Sequence, residues 1–163
     1  MATLPAADKS CVDSIADSAL ARLEQFGATH LSAMIWAVAK SSHHQPAFFE
    51  ASAIRLADTR LTASMGSQHV ANVLWAFAVV SYQPEIVEPL TIRAEQLVFE
   101  FRPMELAAVI WASAGAGWSS DSAFLRSASL AATSAVSAFR LDELAGVAWA
   151  LARLHMDGSV FSS

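Results

Sequence analysis

Side chains that could carry out chemistry are few in this sequence, and their spacing forms no catalytic or metal-binding pattern. His43 and His44 are adjacent, so in a helix they would point about 100° apart. Neither has a cysteine or carboxylate at ligand spacing, and a solvated loop pair is the favoured interpretation. Cys11, the single cysteine, has no Cys or His partner at a recognisable spacing. With neither a glycine-rich phosphate loop nor a Gly-x-Ser-x-Gly elbow, the sequence predicts no enzyme activity, catalytic residue, metal site or cofactor.

A tryptophan recurs along the chain at a nearly constant spacing. Trp36, Trp75, Trp111 and Trp149 are separated by 39, 36 and 38 residues. Their neighbours keep register: leucine or valine lies five residues before each tryptophan, and alanine lies one and three residues after it. Apolar residues recur at spacings of three and four, and alanine is abundant, which favours helix. A fixed period of this length is typical of helical-repeat arrays.

Eight helices are predicted, in hairpins that pair each tryptophan helix with a companion helix. The tryptophan helices are expected at about residues 28–40, 67–80, 103–115 and 141–154, and the companions at about 9–25, 46–60, 85–99 and 122–138. The predicted fold class is all-α, an α-solenoid of hairpin repeats of about 38 residues that covers 1–163 as a single array. Because the array begins and ends within a repeat, we expect a fragment of a longer solenoid, with 157–163 starting a ninth helix.

Prolines and glycines mark the predicted helix ends. Prolines occur where three of the helices should begin: Pro46, Pro84 and Pro103. Gly27 and Gly66 lie where the preceding helix would need a left-handed C-terminal cap. Pro89 falls inside the predicted helix 85–99, where it would remove a backbone hydrogen bond. That helix is therefore expected either to start near Glu88 or to be kinked.

The polar residues of the tryptophan helices change from copy to copy and fall on one arc. At about 100° per residue, the variable positions lie seven, six and three residues before the tryptophan and four after it, beside the constant packing face. Helical-repeat proteins that bind RNA read bases with two or three such side chains per repeat, although variable positions are also those of any solvated face. The candidate RNA-binding residues are Thr29, Lys40, Gln68, His69, Asn72, Asp142 and Arg153.

The tryptophans themselves allow two interpretations. Indole rings can stack on nucleic-acid bases. Their constant position at the edge of the alanine-rich packing face favours a role in the core between repeats instead. A fifth tryptophan, Trp118, breaks the period, and it either covers a helix end or marks a contact surface.

Composition limits the possible partners. Of the 163 residues, 55% are apolar and 15% charged, which predicts a folded domain. No apolar run reaches the roughly 20 residues that span a bilayer, so no membrane insertion is expected. The formal net charge of −5 argues against a simple nucleic-acid surface, because phosphates are bound largely by Lys and Arg. A local basic stripe is compatible with this balance: Lys40 and Arg153 fall on the variable arc, and Arg55 and Arg93 occupy equivalent places on two companion helices, although Asp142 and Glu143 share the arc.

Several segments resemble the octotricopeptide repeat. The stretches FRPMELAAVIWASA (101–114) and HVANVLWAFA (69–78) are similar to its degenerate 38-residue unit, which has a leucine-alanine-asparagine stretch followed by leucine, tryptophan and alanine. Related repeats accompany RAP domains in organellar proteins. The resemblance extends over about residues 9–154. The sequence departs from the family at the proline-rich signature between the two helices, which is kept only around Pro84 and Pro46, and at the asparagine, which is kept only as Asn72.

The resemblance implies a right-handed superhelix that binds single-stranded organellar RNA or rRNA. Such a protein would act in RNA stability, processing, translation or ribosome assembly, in a mitochondrion or chloroplast, although no targeting segment is visible near the N-terminus. The alternative is a protein interaction scaffold within a larger ribonucleoprotein, without direct base recognition and in contact with other subunits. Asn72 is where we first expect a base contact.

Overall fold

Every regular element that the structure describes is helical. This computed structural model describes residues 6–41, 45–82, 87–115 and 123–156. Within these ranges the elements, in chain order, are α1 (Ala6–Leu20), a 3₁₀ turn (Leu23–Gln25), α2 (Ala28–Lys40), α3 (Pro46–Leu56), α4 (Thr59–Ala63), α5 (Ser67–Val79), α6 (Val87–Gln96), α7 (Pro103–Gly115), α8 (Ala123–Ser134), a second 3₁₀ turn (Val136–Ala138) and α9 (Leu141–Met156). The all-α class is confirmed. The predictions made for Trp118, for His43 and His44, for Pro84 and for residues 157–163 fall outside the described ranges.

The helices form two layers. The tryptophan helices α2, α5, α7 and α9 lie side by side in this order, and we call them the tryptophan layer. Helices α1, α3, α4, α6 and α8 form the companion layer, through the contacts of α1 with α3, α4 with α6, and α6 with α8. The core fills the space between the layers because each layer turns one apolar face inward. Its largest fully buried side chains include Leu31, Leu74, Ile110, Phe48, Leu90 and Phe124.

The tryptophan helices begin and end within two residues of their predicted bounds, whereas the companion helices are shorter than predicted. The predicted helix 46–60 is two helices, because Asp58 stops α3 and caps α4 by accepting a hydrogen bond from the backbone N–H of Arg60 (2.9 Å). Similar breaks follow α1, α6 and α8. The apolar period runs across these breaks, so periodicity alone predicted one helix where the chain turns toward the next tryptophan helix. Helix α6 begins at Val87, which places Pro89 in the first turn, where a missing N–H breaks no helical bond.

The prediction that Gly27 and Gly66 adopt a left-handed backbone as C-terminal caps is wrong. Gly27 and Gly66 have extended backbone (φ −81°, ψ 177° and φ −85°, ψ 177°) and precede α2 and α5 as N-caps. Among the non-glycine residues that the structure describes, Ser81 is the one with a left-handed backbone, at φ 54°. It ends α5 in a Schellman arrangement: the N–H of Tyr82 donates to the carbonyl of Phe77 (2.9 Å) and that of Ser81 to the carbonyl of Ala78 (3.1 Å). A serine therefore occupies the conformation that glycine prefers.

Replacing Ser81 with glycine is expected to raise the free energy of unfolding by about 1 kcal/mol, because a side chain in the left-handed region is strained by about that amount. Urea unfolding followed by circular dichroism measures the change. The matched control is Ser18→Gly, on the exposed surface of helix α1, where the same substitution should destabilise by roughly 0.5 to 1 kcal/mol. Destabilisation by both substitutions would contradict the strained cap.

Candidate nucleic-acid interface

The free surface of the tryptophan layer carries the variable side chains predicted from the sequence. We call this surface the tryptophan face. The positions seven residues before and four residues after the tryptophan are exposed in all four copies: Thr29, Gln68, Met104 and Asp142, and Lys40, Val79, Gly115 and Arg153. These two columns of the variable arc are therefore accessible to a ligand along the whole layer.

A groove of about 340 Å³ opens on the tryptophan face between α2, α5 and α7. It is lined by the indole rings of Trp36 and Trp75, whose centroids are 6.3 Å apart with the ring planes tilted by 40°. Gln68 and Asn72, one helical turn apart on α5, add two carboxamide groups to the same lining. Ala71, Met104, Glu105 and Ala108 complete it. This arrangement offers aromatic surface for a planar ligand and both hydrogen-bond donors and acceptors for its edge.

The tryptophans are only partly buried, so the prediction that they belong to the core between repeats holds in part. Trp75 and Trp111 pack against the core and still have accessible surface. Trp149 is 47% exposed, although its ring lies 6.4 Å from that of Trp111. An indole is large enough to bury one edge between neighbouring helices while the other edge faces solvent. The same residue can thus hold the layer together and contribute to the groove.

In the last three copies the residue six positions before the tryptophan caps its helix, whereas His30 of the first copy is exposed. The backbone N–H of Gly66 donates to Nδ1 of His69 (3.2 Å), that of Arg102 to Oε2 of Glu105 (3.0 Å) and that of Arg140 to Oε2 of Glu143 (2.8 Å). Each acceptor is the third residue of its helix, the place from which a side chain can satisfy a free N–H at the helix start. His69 is therefore a capping residue whose Nε2–H is its remaining donor. For Glu105 and Glu143, a glutamate at the third position of the predicted helix was the available sequence signal.

Lys40 and Arg153 lie over the tryptophans of the first and last copies. Nζ of Lys40 is 4.5 Å from the centre of the Trp36 ring, and the guanidinium carbon of Arg153 is 5.7 Å from that of Trp149. Nε of Arg153 also donates to the carbonyl of Ala114 (3.1 Å). Arg153 thereby ties α9 to the C-terminal end of α7, where the helix dipole favours a cation. Both cations lie on the tryptophan face, as predicted, and Arg153 also connects α9 to α7.

The remaining candidates do not line the groove. Asp142 is exposed and accepts a hydrogen bond from Nε of Arg140 (3.2 Å), and this contact is the main reason that the pKa of Asp142 lies below its usual value. Thr29 is exposed at the start of α2. Neither is among the groove residues. The structure brings Gln68 and Asn72 together beside two tryptophans, and places Thr29 and Asp142 on the first and last helices of the layer.

The basic stripe predicted on the companion helices is not a row of free cations. Nη1 of Arg55 donates to Oδ2 of Asp58 (3.0 Å), while Nε of Arg93 donates to the carbonyl of Met65 (3.0 Å) and its Nη1 to Oε1 of Gln96 (2.9 Å). Both arginines are half-buried. Their guanidinium groups join neighbouring elements, so the equivalence of Arg55 and Arg93 in the repeat reflects packing. Whether these arginines also add positive potential to one surface stays a prediction.

Further features of the described residues bear on the class of protein. Among them, no cluster of three or more His, Cys, Asp or Glu side chains is placed to bind a metal ion, and Cys11 is exposed. No helix of the described ranges has the length and apolar character needed to cross a bilayer. Fold and site together define an all-helical, two-layered protein with a ring-lined groove on one surface. No protein-family model matches the sequence, and no curated protein is significantly similar to it.

Proposed function

We propose that this chain binds single-stranded RNA on its tryptophan face. The observation that carries the proposal is the groove, where the indole rings of Trp36 and Trp75 and the carboxamides of Gln68 and Asn72 line one open space. Stacking of a base on an aromatic ring contributes roughly 1 to 3 kcal/mol. Asparagine and glutamine can form two hydrogen bonds with a base edge, which gives sequence preference. The groove thus combines a means of holding a base with a means of distinguishing it.

The net negative charge of the chain limits the electrostatic contribution to RNA affinity. With 15 acidic and 10 basic residues, the protein cannot rely on phosphate neutralisation alone for affinity. Lys40, whose Nζ lies 4.5 Å from the ring centre of the groove residue Trp36, is a candidate for a phosphate contact. Stacking and base-edge contacts therefore supply most of the affinity for RNA. The cations on the tryptophan face add an electrostatic contribution, which decreases as the salt concentration rises.

Electrophoretic mobility of single-stranded RNA with the chain, over a salt series, tests the proposal. Binding should be tightest at low salt, and Trp36→Leu should weaken it by about tenfold for all sequences, the equivalent of about 1.4 kcal/mol of stacking. Replacing both Gln68 and Asn72 with alanine should alter sequence preference without changing helicity. Gln96→Ala is the matched control, an exposed amide on the companion layer. Absence of binding by the wild-type chain at low salt would overturn the proposal.

The proposal extends to architecture and cellular context. The repeated hairpins are taken to build a right-handed α-solenoid of the octotricopeptide type. The protein would then act on organellar RNA or rRNA in a mitochondrion or chloroplast, in RNA stability, processing, translation or ribosome assembly, and it would not act as an enzyme. Support comes from the four tryptophan helices, which lie side by side in chain order. Organelle fractionation of the tagged full-length protein tests the location.

A protein interaction scaffold is the second candidate, and an observation on the companion layer favours it. One large aliphatic side chain on each of the companion helices α1, α3, α6 and α8 is between 51% and 71% exposed: Ile15, Ile54, Ile92 and Leu130. A regular row of exposed apolar side chains is typical of contact surfaces. Under this function, Ile54→Ser with Ile92→Ser would release the chain from its ribonucleoprotein at unchanged helicity. RNA affinity of the isolated chain would then be absent.

A further inference from the structure

Among the described residues that line the groove on the tryptophan face, Glu105 of α7 is the only charged one. Gln68 and Asn72 contribute carboxamides to the same lining. Each carboxamide has a donor end and an acceptor end, so it can turn to suit a ligand. An ionised carboxylate has no donor and only accepts hydrogen bonds. Glu105 therefore adds a fixed requirement for a hydrogen-bond donor on the ligand.

The Glu105 carboxylate is held in one position by Arg102, the residue before α7. The side chain of Glu105 is 4% exposed. Its Oε1 accepts hydrogen bonds from Nε (2.8 Å) and Nη2 of Arg102, and its Oε2 accepts one from the backbone N–H of the same residue (3.0 Å). A carboxylate has about four acceptor sites, so these contacts leave a site on Oε2. A ligand group that reaches this site meets an acceptor whose position is already fixed.

The repeat contains a second glutamate at the same position, and comparison with it separates capping from a role in the groove. Glu143 caps α9 as Glu105 caps α7, by accepting a hydrogen bond from the backbone N–H of Arg140 (2.8 Å). Glu143 is not among the described residues that line the groove. Capping accounts for both glutamates, whereas the place in the groove lining belongs to Glu105.

The charges around the groove determine which part of an RNA can enter it. Arg102 balances the charge of Glu105, and the described lining includes no cation that is left for a phosphate. A phosphate inside the groove would lose its hydration without compensation. Lys40 is exposed on the tryptophan face and does not line the groove. This arrangement favours a base inside the groove and the phosphate outside it.

We propose that the groove selects a base with an exocyclic amino group and rejects uracil, with Glu105 as the residue that discriminates. This inference rests on the proposed RNA binding and adds the chemical class of the bound base. Cytosine and adenine present an amino donor at the edge of the ring, where uracil, like thymine, presents the O4 acceptor. The amino group donates to Oε2 of Glu105. The O4 of uracil would face another acceptor, and burial of a polar group without a partner is unfavourable.

Electrophoretic mobility of oligocytidine, oligouridine and a mixed-sequence RNA of equal length, at neutral pH and low salt, tests the inference. Cytosine and uracil have rings of the same size, so stacking on the indole rings contributes nearly equally to both. The wild-type chain should therefore bind oligocytidine about tenfold more tightly than oligouridine. Equal affinities for the two, or binding of the mixed sequence alone, would overturn this inference and leave the proposed function standing. Absence of binding to all three RNAs would overturn both.

Two matched substitutions assign the preference to one residue. Glu105→Gln should abolish most of the preference for oligocytidine, because the amide of glutamine offers a donor to O4 of uracil. Glu143→Gln is the control, since it makes the same change at a cap outside the described groove lining. It should keep the preference of the wild type, and circular dichroism checks the fold of each variant. A full preference in folded Glu105→Gln would refute the role of Glu105. If that variant does not fold, the wild-type comparison of oligocytidine with oligouridine decides the inference.

Discussion

Replacement of Phe77 by alanine is expected to lower the free energy of unfolding by about 3 to 5 kcal/mol. Phe77 is fully buried on α5 and lies between two other rings, with centroids 6.3 Å from Phe49 and 5.5 Å from Tyr82. Truncation removes these contacts and leaves a cavity between the two layers. Since domains are stable by only about 5 to 15 kcal/mol, this is a large share of the total. Urea unfolding monitored by circular dichroism measures it.

Phe99→Ala is the control for this prediction, because the same substitution then removes a ring that is 78% exposed. An exposed site away from caps and ion pairs is expected to change stability by no more than about 0.5 kcal/mol. Similar losses for the two variants would contradict the position of Phe77 in the core. They would also call into question the packing of α5 against the companion layer.

Arg102→Met is expected to destabilise the protein by about 3 kcal/mol or more. Glu105 is 4% exposed, and it accepts a hydrogen bond from Nε of Arg102 (2.8 Å) as well as one from Nη2. Without the guanidinium, a buried carboxylate keeps only its bond from the backbone N–H of residue 102 (3.0 Å). An uncompensated buried charge is far more unfavourable than an exposed one. Chemical unfolding at neutral pH measures the loss.

A double variant separates the ion pair from the packing at this site. Arg102→Met with Glu105→Met removes both charges, and replacement of a buried pair by apolar side chains is often close to neutral. The double variant should therefore recover much of the stability lost in Arg102→Met. It also loses the cap at the start of α7, worth about 1 kcal/mol, so recovery should be incomplete. A double variant less stable than Arg102→Met would show that the pair itself stabilises the fold.

The tryptophan helices could be predicted closely from sequence because their packing columns are constant. Alanine after each tryptophan and leucine or valine before it reflect the close approach of neighbouring helices, and this leaves a strong periodic signal. The breaks in the companion helices left no such signal. Asp58 ends α3 through local hydrogen bonds, while the apolar residues on either side continue the helical period. At that point the apolar period predicts a continuing helix, whereas the capping hydrogen bond of Asp58 ends α3 and starts α4.

The candidate interface was predictable in its location and less so in its details. The exposed positions followed from the helical wheel, which placed Gln68 and Asn72 on one arc. His69 lies on the same arc but caps the helix, because it accepts a hydrogen bond from the backbone N–H three residues earlier. A helical wheel does not show such a contact. The left-handed residue was misplaced for a similar reason, because glycine is preferred in that conformation but is not required for it. Ser81 adopts it where the chain must reverse after α5.

The order of the tryptophan layer has a consequence for how the protein opens. Each tryptophan helix makes its main contacts with the next one in the chain, so local stability should decrease from the middle of the layer toward its ends. Helix α9, whose main contacts among the described elements are with α7, should exchange its amide hydrogens faster than α5, which packs against both α2 and α7. The groove between α2, α5 and α7 includes this more protected centre. A ligand held there would meet a surface that is preformed on its α5 and α7 side, whereas α2, which contributes Trp36, belongs to the less protected end of the layer.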